Sequence, residues 1–198
     1  EPMTEESVER AFREHPDFEK TDEGEFETPE KTFPGVVTAS DEAGGDDAHS
    51  YEVEVRAPML DAVVEGEEVA RVVEDGWFET LELRLDDAHT VASADAEPPE
   101  VEREGEEVVV TTALVSADPD RAAEDALAIV EYVEGTWVQG IIPGYDYREP
   151  AASLRERARQ NYDEGGGPGG ADGSGGAGDG AGGGSEPGGA GRPGGRPR

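Results

Sequence analysis

A chain of 198 residues suits one domain of ordinary size, or a smaller domain with a tail. Its 49 Asp and Glu against 16 Lys and Arg leave a formal net charge of -33, a field that repels nucleic acid. Cysteine is absent, which removes disulfides, thiolate nucleophiles and zinc-thiolate sites together, and no apolar run approaches the roughly 18 residues of a membrane span.

Lys20 and Lys31 are the only lysines, so arginine carries nearly all the positive charge. At ordinary ionic strength such an excess of acid pushes the compact state apart, whereas at molar salt the Debye length is only about 3 Å and the repulsion is screened. The acid is spread from Glu5 to Glu164 rather than gathered in a patch, so the composition predicts adaptation to a molar-salt cytoplasm. With neither a basic n-region nor an apolar h-region near its start, the chain is expected to be cytoplasmic, without a membrane partner. Residues 1–3 are read as a leader outside the fold.

Val8, Ala11 and Phe12 lie at i, i+3, i+4 behind Thr4, the pattern of a short amphipathic helix that ends before Pro16. Residues 18–20 and 26–28 flank the turn signal Asp22-Glu23-Gly24 and predict a small hairpin. A strand over 33–40 comes next, then a loop through Asp46 and Asp47. The clearest strand is 51–57, where Tyr51, Val53, Val55 and Ala57 alternate with Glu52, Glu54 and Arg56. Between Leu60 and Val73 the apolar spacing predicts a helical turn, a break at Gly66 and a second helix. For 77–85, Leu81, Leu83 and Leu85 alternate like a strand, yet Glu, Leu and Arg are helix formers, and helix is the expectation.

A loop is expected over 89–97, closed by Pro98-Pro99. Strands over 101–103 and 108–115 flank Glu104-Gly105-Glu106 as a second hairpin. Asp118 as N-cap and Pro119 at the first helical position start the best-marked helix, whose stripe Ala122, Ala126, Ile129, Val130 and Val133 is expected to end at Gly135. Residues 134–148 then read as a structured aromatic loop, with a mostly solvent-facing helix after it over 150–162. From Gly165 more than half the residues are glycine, and a tail with nothing larger than alanine to bury is expected to stay disordered.

The predicted architecture is a single acidic α+β domain over 4–164: an antiparallel sheet of about five strands with helices on one face, in the order helix, three strands, helix, two strands, helix. That order is similar to secretion-chaperone-like folds, which bind protein segments. At Val63-Val64-Glu65-Gly66-Glu67-Glu68-Val69, Gly76-Trp77-Phe78-Glu79-Thr80-Leu81 and Tyr132-Val133-Glu134-Gly135 through Gly144-Tyr145-Asp146-Tyr147-Arg148, the chain resembles an uncharacterised haloarchaeal family of unknown function, over roughly 8–159. The resemblance implies a lineage and a compartment and carries over no functional residue.

No phosphate-cradling glycine motif occurs before the tail, and His15, His49 and His89 lack a partner at i, i+4, so no nucleotide, cofactor or metal is expected. His49 near Asp46 and Asp47 is a candidate for holding a divalent cation, but loop carboxylates are the background of this chain. The binding candidates are Trp137, Gln139, Tyr145, Asp146, Tyr147 and Arg148, because an aspartate between two phenols and beside an arginine puts donors, an acceptor and π faces on one bend. The alternative makes Trp137, Val138, Ile141 and Ile142 core anchors, with Tyr145 and Tyr147 covering the sheet edge and Arg148 neutralising the surrounding acid. With no nucleophile or cofactor fingerprint, the expectation is a non-enzymatic module that binds a protein or peptide; the rival is a small ligand-binding protein or hydrolase centred on Asp146, which needs a second carboxylate nearby.

Overall fold

The computed structural model describes residues 5–41 and 48–165. In chain order these form α1 (Glu5–Glu14), β1 (Glu19–Lys20), β2 (Phe26–Glu27), β3 (Gly35–Ser40), β4 (His49–Pro58) and α2 (Leu60–Val63). Next come α3 (Arg71–Leu85), a 3-10 turn at Ala88–Val91, β5 (Asp95–Ala96), β6 (Glu100–Glu104), β7 (Glu107–Ser116), α4 (Pro119–Gln139) and α5 (Ala151–Gly165). The expected leader, the loop carboxylates Asp46 and Asp47, and the tail beyond Gly165 lie outside the described residues.

The strands make one antiparallel sheet in the order β1-β2-β3-β4-β7, with β5 and β6 sharing the far side of β7. Alternation decides its two faces. His49, Tyr51, Val53, Val55 and Ala57 of β4 are buried, as are Val108, Val110, Thr112 and Leu114 of β7, and this face meets the helices. Glu52 and Arg56 point the other way, where Arg56 holds Glu54 at 2.8 Å, Glu104 at 3.0 Å and Glu107 at 3.3 Å. Seven strands replace the expected five or so: Asp95 and Ala96, placed in a loop from sequence, pair with Val115 and Leu114. Two residues are too short a run for periodicity to register, and only the neighbouring strand makes them β.

Helix α4 crosses the buried face. Its start is as read: the Asp118 side chain accepts the N–H groups of Asp120 and Arg121 at 3.1 and 3.2 Å. Its end is not. Gly135 does not terminate it; the helix runs to Gln139 and is closed by Gly140, whose N–H reaches the carbonyls of Thr136 and Trp137. An interior glycine costs a helix about 1 kcal/mol, and the burial of Val133, Thr136 and Trp137 on either side of it outweighs that. The supposed aromatic loop is therefore helix as far as Gln139, and only its second half, from Gly140 on, is loop.

The choice of helix for 77–85 holds, but the separate helix expected to end near Val73 is its first turn, since α3 passes through Gly76 without interruption. Gly76 lies exposed with open space where a Cβ would stand, so nothing there breaks the helix. Gly35 is the opposite case: a Cβ would lie 2.3 Å from Cγ2 of the fully buried Val130, and α4 rests on β3 only because that atom is missing.

Two aromatic groups fill the core. Phe12 stacks on Phe26 with centroids 4.6 Å apart and meets Phe18 edge-on at 5.0 Å. At the other end Trp137 meets Phe33 at 5.2 Å and Trp77 at 6.2 Å, both edge to face.

Candidate functional site

Once α4 ends at Gly140, the chain must turn back to reach α5, and residues 141–150 do so against the segment just after α2. Gly144 supplies the bend with φ of 105°, a left-handed conformation that favours glycine. Tyr147 then forms an antiparallel bridge with Val64, in which Glu65 N–H donates to the Asp146 carbonyl at 2.8 Å and Arg148 N–H to that of Val63 at 2.9 Å. Side chains complete the brace. The Tyr147 hydroxyl donates to the Ile142 carbonyl at 2.6 Å, and Arg148 Nη2 to the Val64 carbonyl at 2.8 Å.

Helix α5 folds back over this bend by burying Ala151 and Leu154. Its Arg155 donates from Nη1 to the Tyr145 carbonyl at 3.4 Å, and its guanidinium carbon lies 5.8 Å from the Tyr147 ring centre. Burial pushes the Tyr147 phenol above its usual range, against the opposing pull of its bond to Ile142 and of Arg155. Between the bend and α5 lies an open cleft of about 470 Å³, lined by Glu65, Gly66, Asp146, Tyr147, Ala152, Arg155, Glu156 and Arg159.

The six sequence candidates divide here. Trp137 is core: it is 1% exposed, and its indole N–H donates to the Pro58 carbonyl at 2.9 Å. Gln139 is exposed at the end of α4 and does not line the cleft. Tyr145 is half-buried, 6.5 Å from Tyr147 ring to ring. Asp146 is exposed and lines the cleft beside Tyr147, which is 8% exposed and acts as its floor. Arg148 is exposed and holds Val64 from outside the cleft lining. Ile141 and Ile142 are half-buried, flanking the bend rather than filling the core.

Sequence reading missed Glu65, Gly66, Ala152, Arg155, Glu156 and Arg159. The α5 signal was present: Ala152, Arg155, Glu156 and Arg159 recur at helical spacing along one face. Its local pattern is that of a solvated stripe, because nothing within it says that the 141–150 bend lies against it.

Away from this cleft, His49 Nδ1 lies 2.8 Å from Asp41 at a hollow of about 70 Å³. Among the described residues no three His, Asp or Glu side chains gather as metal ligands. Nor is any described helix long and apolar enough to cross a membrane.

The model of a family of unknown function, DUF5813, matches residues 13–157. The chain belongs to that family. The DUF5813 match takes in the whole sheet, α4, the bend and the cleft-lining residues up to Glu156, and leaves Arg159 two residues beyond its end. No curated protein and no solved structure matches the chain.

Proposed function

We propose that this DUF5813 protein is a non-enzymatic interaction module whose partner, a protein or peptide segment, docks in the cleft between the 141–150 bend and α5. The observation that carries the reading is the cleft itself: an open hollow of about 470 Å³ with an aromatic floor and charges of both signs. Tyr147, Arg148 and Arg155 brace its walls through backbone carbonyls, so binding would order little that is not already ordered.

Carboxylate chemistry at Asp146 is the second reading, favoured by Glu65 and Glu156 lining the same cleft. All three are exposed, whereas acid-base pairs work where water is kept out, so the binding reading stands ahead. The net charge of -33 and the near absence of lysine support a home in a molar-salt cytoplasm, of the haloarchaeal kind.

The missing cysteine makes a direct test simple. A photo-crosslinker attached to Asp146→Cys, in lysate of the source organism at molar KCl, is expected to trap a discrete partner. The same label on Glu52→Cys, on the open sheet face, is the control. Trapping at position 52 but not at 146 would move the interaction surface off the cleft.

A further inference from the structure

The geometry points to an extended peptide as the occupant of this cleft, one that lays a carboxylate, from a side chain or a chain terminus, onto Arg155 and Arg159. The inference rests on the binding reading above and adds what is bound and how.

The first observation is an unpaired edge. In the bridge between Val64 and Tyr147 the two hydrogen bonds run from Glu65 to Asp146 and from Arg148 to Val63. Val64 and Tyr147 are therefore a non-hydrogen-bonded pair, and their own N–H and C=O groups point away from each other. Those of Val64 are satisfied, the N–H by the Asp61 carbonyl and the C=O by Arg148. The N–H and C=O of Tyr147 make no hydrogen bond among the described residues, and Tyr147 lines the cleft. An extended segment added alongside would satisfy both, the usual mode of strand addition.

The second observation is the state of the arginines. Arg13, Lys20, Lys31, Arg56 and Arg103 hold carboxylates in ion pairs, whereas the other described arginines do not, and of these only Arg155 and Arg159 line the cleft. Arg155 and Arg159 form none with a described carboxylate, although Glu65, Asp146 and Glu156 line the same cleft. Arg155 is held in place by the Tyr145 carbonyl and the Tyr147 ring, which occupy one of its five N–H donors and one face of its plane. Arg159 lies one turn later on the same side of α5. A guanidinium fixed beforehand loses little freedom on taking a carboxylate, and its fork matches one bidentately.

Charge sets the rest of the ligand. Three carboxylates and two arginines line the cleft, so a peptide with one acid among basic residues complements it, while a uniformly acidic one does not.

The test is a ¹⁵N-resolved NMR titration of the full chain at molar KCl with three peptides: acetyl-Lys-Ala-Glu-Ala-Lys-amide, its Gln counterpart, and acetyl-Lys-Ala-Ala with a free carboxyl end. Saturable shifts at the amides of Glu65, Gly66 and Tyr147 are expected with the carboxylate peptides. Affinity should be about tenfold weaker for the Gln peptide, and for Arg159→Gln with the Glu peptide, at an unchanged melting temperature. Whichever carboxylate peptide binds more tightly identifies the source of the group. Equal binding of the Gln peptide would overturn the carboxylate assignment and leave the cleft as a binding site. No shift at these amides with any peptide would overturn the inference, and trapping at Asp146→Cys then judges the binding reading separately.

Discussion

Trp77 and Trp137 stand edge to face, ring centroids 6.2 Å apart at 80°, and each commits its indole N–H to a carbonyl on a different element. Trp77 donates to Gly140, the residue that closes α4, at 3.0 Å; Trp137 donates to Pro58, at the end of β4, at 2.9 Å. One pair of rings thereby locks α3, α4 and the sheet together beside the bend. Trp137→Ala is expected to cost about 3–5 kcal/mol in urea unfolding, the range for emptying a buried aromatic site. Trp77→Phe, which keeps a ring and loses the donor, should cost about 1–3 kcal/mol. A Trp137→Ala protein of unchanged stability would remove this anchor from the account.

Gly35 and Val130 mark a tight approach of α4 to β3. Val130 is a stiff, β-branched side chain with no exposed surface, so it has no room to yield to a Cβ 2.3 Å away. Gly35→Ala is expected to destabilise by about 1–3 kcal/mol, the usual cost of overpacking. Adding Val130→Ala to that variant should return part of the loss, which a double-mutant cycle would measure.

Alkaline pH should weaken the fold. Desolvation raises the Tyr51 and Tyr147 phenols above 10.0, and the hydrogen bond to Glu131 raises Lys31 above 10.5. Groups with raised folded-state pKa keep their protons longer in the native protein than in the unfolded chain. Their contribution is complete below the unfolded values and is lost as pH climbs past them. Urea midpoints should be level up to about pH 10 and fall beyond it, with a shallower fall in Tyr51→Phe. The Tyr51 hydroxyl has no hydrogen-bond partner among the described protein groups, so that variant should be no less stable at neutral pH. Midpoints level to about pH 11.5 would contradict the burial argument.

Salt should matter about as much as a buried tryptophan. Diluting KCl from molar to about 0.1 M unscreens a net charge of -33, and the melting temperature is expected to drop by on the order of 10 °C, equivalent to a few kcal/mol at this size. A scan that gives the same transition at both concentrations would refute adaptation to salt.

Most elements were legible because their signals are local. Alternation in Tyr51 to Ala57 puts one face in the core whatever the neighbours are, and Asp118-Pro119 starts a helix with its own side chain and ring. Gly135 misled for the same reason: read locally it is a terminator, but the buried Trp137 beyond it supplies more than glycine's helix cost. Asp95-Ala96 became a strand only through Val115 and Leu114.

By itself the sequence determined the α+β class and the excess of acid, since composition, period and turn chemistry act over a few residues. Only the tertiary structure decided that Trp137 is an anchor and Tyr147 a floor, and that Glu65, Asp146, Arg155 and Arg159 share one cleft. Glu65 lies far from the other three along the chain, and the four meet because α5 buries Ala151 and Leu154 while Tyr147 pairs with Val64. Contacts of that range are set by what the whole core excludes from water, which no window of sequence contains.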